Sequence, residues 1–121
     1  MAKKALIIDD EMDICQLLAI LLKQRNIQSL FAGSLAEGDL YADFASPDII
    51  FLDNDLPDGM GISHIRKLKE LYPLAKIIMI TAQDTGYERE NALKEGSDFF
   101  IGKPFTKETI YRALDGLIGK S

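Results

Sequence analysis

One cysteine and one histidine occur among the 121 residues, and each scarcity removes a class of chemistry. Cys15 has no second thiol to pair with, so no internal disulfide forms. Its place within an apolar helical pattern reads as a small core residue rather than a redox centre. His64 stands among charged neighbours on a helix, where a surface position is expected, and one imidazole by itself cannot build a metal site. Basic residues are outnumbered 14 to 19, for a formal net charge of −5. A chain of this sign has no electrostatic footprint for nucleic acid or anionic lipid, so direct binding to either is not expected. Long apolar runs are also missing, and none approaches a membrane span. Met1-Ala2-Lys3-Lys4 leads only to a short apolar run before Asp9-Asp10, which is not a signal-peptide pattern. A reduced, cytoplasmic setting is expected. With no linker, repeat or low-complexity stretch, residues 1–121 read as a single domain.

What is present is alternation. The run Ile49-Ile50-Phe51-Leu52 ends on Asp53, and a turn begins at once with Asn54-Asp55-Leu56-Pro57-Asp58-Gly59. Such a run reads as a strand buried on both faces, at the centre of a parallel sheet. Strands are expected over Lys4–Ile8, Ile27–Ala32, Asp48–Asp53, Lys76–Thr81 and Asp98–Gly102. Helices are expected over Asp13–Gln24, Leu35–Phe44, Met60–Leu71, Tyr87–Glu95 and Thr106–Ile118. The first helix carries Ile14, Leu17, Leu18, Leu21 and Leu22 at helical spacing, and the third carries Ile62, Ile65, Leu68 and Leu71. Asp10 or Glu11 suits the first turn of the first helix. Ser34 and Thr106 read as N-caps, Gly96 as a helix-ending glycine, and Tyr72-Pro73 as a stop. Five strands alternating with five helices imply an α/β doubly wound parallel sheet of order 2-1-3-4-5, the flavodoxin-like arrangement.

In that order the first and third strands are neighbours, so Asp9 and Asp10 land beside Asp53 at the carboxyl edge, where α/β sheets bind ligands. Thr81 and Lys103 end strands on the other side. Carboxylates so crowded repel one another and persist where something binds. Hard oxygen ligands suit Mg²⁺, commonly with a phosphate completing its shell. A hydroxyl and an ammonium opposite suit phosphoryl oxygens, and an Asp so placed can attack phosphorus.

These residues resemble the receiver domain of two-component response regulators, and the resemblance covers the whole chain. It rests on Asp9-Asp10 after the first strand, Asp53 after the third, Leu56-Pro57 just beyond, Thr81-Ala82 after the fourth and Lys103-Pro104-Phe105 after the fifth. Ala92-Leu93-Lys94-Glu95-Gly96-Ser97-Asp98 also looks like the family's run into its last strand. The resemblance implies that Asp53 accepts a phosphoryl group from a phosphohistidine of a sensor histidine kinase or phosphotransfer protein. It implies Mg²⁺ held by the side chains of Asp10 and Asp53, by Asp9 at least through water, and by the backbone carbonyl of Asp55. Lys103 is implied as the grip on the phosphoryl oxygens, and Thr81 and Phe100 as the switch pair. A cis bond before Pro104 is a family habit. The outer faces of the fourth helix, fifth strand and fifth helix are implied as the surface for a downstream effector, an attached output domain or a homodimer partner. The resemblance further implies a domain that catalyses only its own phosphorylation and dephosphorylation and is otherwise no enzyme. Met60 stands where many relatives carry Asp, Asn or Ser, which leaves the start of the third helix to Asp58 or Ser63. The chain ends at Gly119-Lys120-Ser121, just past the last helix, so no output domain is expected within it.

Other functions fit the residues less well. Asp53-Asn54-Asp55 resembles the nucleophile motif of haloacid-dehalogenase-type phosphatases, but it follows the third strand rather than the first. Pro57 stands where that family places Thr or Val. A flavodoxin-like electron carrier needs a hydroxyl- and glycine-rich loop after the first strand, where Asp9-Asp10-Glu11 would repel a flavin phosphate. A receiver fold kept only as a silent binding module has no need of the intact set of Asp9, Asp10, Asp53, Thr81 and Lys103. Phe99 and Tyr111 read either as packing or as part of an interaction face.

Overall fold

Every side chain of Ile49–Leu52 is buried, and this strand is the middle of the sheet. The computed structural model describes residues 3–82 and 85–119, so Met1, Ala2, Lys120 and Ser121 of the terminal readings lie outside the described residues. The strands are β1 (Lys3–Ile8), β2 (Ile27–Ala32), β3 (Ile49–Leu52), β4 (Asp55–Leu56), β5 (Gly59–Met60), β6 (Lys76–Thr81) and β7 (Phe99–Gly102). The helices are α1 (Met12–Gln24), α2 (Leu35–Ala45), α3 (Ile65–Leu71), α4 (Gly86–Glu95) and α5 (Lys107–Ile118). The five long strands lie in the order β2-β1-β3-β6-β7, all parallel, which is the expected 2-1-3-4-5 arrangement.

Alternating side chains of the sheet feed two cores. On one face Ala5, Ile7, Phe51, Ile78 and Ile80 pack beneath α1 and α5; on the other Leu6, Ile8, Ile50, Leu52 and Met79 pack beneath α2 and α3. A fully buried Leu or Ile is worth about 1.5–3 kcal/mol. These apolar runs are therefore what hold the strand ends in place. Three caps fall where the residues predict. Ser34 Oγ accepts the Glu37 amide, Thr106 Oγ1 accepts the Thr109 amide, and Gly96 ends α4 with a φ of 118°.

Three expectations are corrected. The stretch from Met60 is not helical from its start: β4 and β5 form a small hairpin, a 3₁₀ turn follows over Gly61–His64, and α3 begins only at Ile65. The cause is local. Asn54 accepts the Gly61 amide through its carbonyl and the Ile62 amide through Oδ1, and these bonds wind the entry tightly. Leu17 and Leu71 are exposed rather than inward, at the shoulder of one stripe and the last residue of the other. His64 is not a free surface residue: Nε2 lies 2.7 Å from Asp39 Oδ1, which ties the α3 entry to α2.

Candidate functional site

The pairing register builds the site. Ile8 is opposite Leu52, so the next residues, Asp9 and Asp53, leave neighbouring strands side by side. Their amides stay in the ladder, Asp53 donating to the Ile8 carbonyl and Asp9 to that of Ala32, both at 2.9 Å. The sheet thus fixes both backbones, and both side chains are buried. Asp10 is exposed, yet one carboxylate oxygen from each of Asp9, Asp10 and Asp53 lies within 4.8 Å of the others. Three hard anionic oxygens at that spacing are a donor set suited to a divalent cation of the Mg²⁺ or Ca²⁺ kind.

Lys103 closes the group from the far side. Its amide donates to the Thr81 carbonyl at 2.9 Å, which anchors the end of β7 to that of β6. Its Nζ stands 2.9 Å from Asp9 Oδ2, 2.7 Å from Glu11 Oε1 and 3.5 Å from Asp53 Oδ1. Burial disfavours the Lys103 ammonium, but Glu11, Asp9 and Asp53 outweigh burial and its pKa is raised. Asp53 is pushed up to about 6, mainly by burial and then by the charge of Asp9, with Lys103 opposing. Burial raises Asp9 too, against the pull of Lys103 and the Glu11 amide. The site therefore carries an excess of negative charge that a cation would relieve.

Thr81 is buried at the end of β6, and Phe100, 4% exposed, points into the core beneath α2 and α3. The lysine–proline bond Lys103-Pro104 is cis. Asp55 lies in the hairpin two residues past Asp53, its side chain exposed and outside the carboxylate group. Phe99 and Tyr111 are partly buried against the first core, and the Tyr111 hydroxyl donates to the Leu21 carbonyl at 3.1 Å, so both serve packing. Cys15 is buried, donates to the Asp9 carbonyl at 3.4 Å, and its thiol is pushed up to about 11 by burial, which leaves it inert as a nucleophile at neutral pH.

Four residues enter the site that sequence reasoning left without these roles. Glu11 is the shortest partner of Lys103, and a third acid directly after Asp9-Asp10 was a visible signal for it. Asn54 is buried and winds the loop after Asp53. Asp58 leaves its own loop to accept the Leu35 and Ala36 amides at 2.8 and 3.0 Å, capping α2. Arg89 places its guanidinium 4.9 Å from the centre of the Phe100 ring and donates to the Phe100 carbonyl. The last two contacts cross between elements and leave no trace in local pattern.

The family model for the response regulator receiver domain matches residues 5–115. A two-component response regulator from Clostridium difficile is 28% identical and superposes with a TM-score of 0.90, over 96% of this chain and 95% of that one. A response regulator from Burkholderia pseudomallei, solved with a phosphorylated aspartic acid, a calcium ion and citrate, is 30% identical with a TM-score of 0.85, over 93% of this chain and 66% of that one. The chemotaxis protein CheY4 of Vibrio cholerae, 22% identical over 98% of this chain and all of that one, shares the fold with a TM-score of 0.89. A match of this length, on a sheet whose carboxyl edge gathers these acids and a lysine, makes the assignment: the chain belongs to the response regulator receiver domains of two-component signalling.

Proposed function

We propose that Asp53 is the phosphoacceptor, taking a phosphoryl group from a phosphohistidine on a sensor kinase or phosphotransfer protein. The observation that carries this reading is the buried Asp53 carboxylate set among Asp9 and Asp10 with the Lys103 ammonium 3.5 Å away. An oxygen of Asp53 attacks phosphorus, the P–N bond breaks, the histidine leaves with the bonding pair, and an acyl phosphate forms. Hydrolysis later returns the free carboxylate and inorganic phosphate, so the domain acts only on itself. Lys103, held at the site by Asp9 and Glu11, neutralises the incoming oxygens, and the Thr81 hydroxyl is their second contact. The donor set fits Mg²⁺, which Asp10, Asp53, Asp9 and the Asp55 carbonyl would hold and which would supply charge neutralisation at the phosphoryl oxygens. The phosphorylated aspartic acid and calcium ion of the Burkholderia protein support an aspartyl phosphoacceptor and a divalent cation in a receiver of this kind.

Phosphorylation adds a charge of about −1.5 to −2 at the edge of the sheet. Thr81 and Phe100 convert it into a change on α4, β7 and α5, the face for an effector, an output domain or a second copy. Residues 1–121 act as one receiver in the cytoplasm, without direct contact to nucleic acid or membrane. Among the described residues no helix is long and apolar enough to cross a bilayer.

Incubation with phosphoramidate tests the reading. One phosphoryl group per chain is expected in Mg²⁺ and none in EDTA, and sustained turnover of an aryl phosphate would contradict it. Lys103→Ala is expected to slow uptake about a hundredfold, the scale of losing one positioned charge donor. The phosphorylated variant should leave the amide shifts of α4, β7 and α5 unmoved; a wild-type shift pattern would remove Lys103 from the switch. Metal binding should itself stabilise the fold, by about 2.7 kcal/mol at a hundred times Kd. The rise in Tm should be smaller at pH 5 than at pH 8, because Asp53, at about 6, must lose its proton to bind. An equal rise at both pH values would place the ion elsewhere.

A further inference from the structure

The outer face of α2 carries apolar residues that neither the core nor the phosphoryl chemistry uses. Leu40 is 66% exposed and Phe44, one turn on, is 84% exposed. Beside Phe44 a groove opens toward the sheet edge, where Leu30 of β2 is 40% exposed and lines the same wall. Phe44 and Leu30 thus share a groove between a helix and an edge strand, and Leu40 stands exposed one turn before Phe44 on the same helix. An apolar groove flanked by such side chains can receive the apolar face of an amphipathic helix.

Charge selects among occupants. Among its own residues α2 carries Glu37, Asp39 and Asp43 and no basic residue. Asp39 is engaged by His64 and Lys67, and Glu37 accepts the Gly33 amide; Glu37 and Asp43 are exposed and lie within one turn of Leu40 and Phe44. Lys4 is the single cation lining the groove among the described residues. Anionic lipid and nucleic acid are repelled by such a face, and a second copy would oppose acid to acid. A helix with an apolar stripe and lysines or arginines along its margins complements it in both respects.

The face is also wired to the loop that follows Asp53. Asp58, at the hairpin between β4 and β5, holds the first two amides of α2. His64, at the entry to α3, holds Asp39 at its middle. A displacement of the loop after Asp53 therefore has two polar handles on α2. We propose that the outer face of α2 docks a basic amphipathic helix of a protein partner, and that Asp58 couples its presentation to the phosphoacceptor loop. The coupling, though not the surface, rests on the phosphoacceptor reading of Asp53.

The probe is a synthetic 18-residue helix with leucines on one face and lysines on its margins, beside a counterpart bearing glutamate for lysine. Titrated into the full chain under NMR observation, the basic peptide should move the amides of Leu30, Leu40, Asp43 and Phe44, and the acidic one should move none. Leu40→Ser with Phe44→Ser, both exposed and so harmless to folding, should weaken binding at least tenfold, and Glu37→Gln with Asp43→Asn about threefold. Shifts confined to another face, or undiminished binding by the serine variant, would overturn the surface. In a sample whose mass shows one phosphoryl group, affinity should change at least threefold, and Asp58→Ala should reduce that change to none. No change in the verified phosphorylated sample would overturn the coupling. Absence of the mass gain would instead fault the phosphoacceptor reading and leave the surface result standing.

Discussion

Asp53→Asn is expected to abolish phosphoryl uptake and, in the same protein, to make the metal-free fold more stable at pH 8. Opposite signs on uptake and on stability make this variant informative. Asparagine keeps the shape of the side chain but has no oxygen able to form the acyl phosphate. The stability gain follows from the raised pKa. In the fold Asp53 titrates at about 6, against an ordinary value of 3.8, because it is buried beside Asp9. A carboxyl whose folded value lies above its unfolded one favours the fold in its protonated form. That contribution is complete below about pH 4 and is lost as pH rises through 6. Each unit is worth about 1.4 kcal/mol, and solvent at the open edge reduces the total, so the expected gain is about 1–2 kcal/mol. Urea denaturation in EDTA at pH 4 and pH 8 measures it. The gain should be present at pH 8 and absent at pH 4. A variant less stable than the parent at pH 8 would mean that Asp53 is not electrostatically frustrated.

The second large effect is expected at a residue with no functional atoms. Gly61 lies so close to the strand end that a Cβ built on it overlaps the Asp53 carbonyl oxygen and presses on the Leu52 side chain. Both neighbours are held, Leu52 by burial and Asp53 by its bond to Ile8, so the strain has no cheap release. Gly61→Ala should cost about 3 kcal/mol, the upper part of the usual overpacking range. It should also slow phosphoryl uptake about a hundredfold, because a shift near 1 Å at a reacting group has that scale of effect. Gly33→Ala is the control, since nothing lies within 4 Å of its Cβ position, and it should be neutral in both assays. Equal behaviour of the two variants would remove Gly61 from any role in placing Asp53.

The sheet was legible because its signals are long and consistent. Four- to six-residue apolar runs end on polar residues, and helical stripes of period 3.6 lie between them. The candidate site was legible for the same reason: Asp9, Asp10, Asp53, Thr81 and Lys103 each end a strand, so topology alone gathers them. The loop after Asp53 was not. Two-residue strands such as β4 and β5 have no period to detect, and Asn54 reads as a turn residue whether or not its amide winds the next segment. Asp58 was weighed as a cap for the third helix; it caps the second instead, 23 residues earlier, a choice made by packing. Leu17 and Leu71 fit their stripes by count but lie beyond the width of the buried face. The pairing of Glu11 with Lys103 joins residues 92 apart, and only the assembled sheet brings them together.

One measurement addresses Asp53 as the acceptor directly. The chain is phosphorylated in Mg²⁺, reduced at once with borohydride, digested and sequenced by tandem mass spectrometry. Reduction converts an aspartyl phosphate to homoserine and marks its position permanently. The expected result is homoserine at position 53 and at no other acid. Homoserine at 9, 10 or 55, or none in a sample that had gained a phosphoryl group, would contradict it.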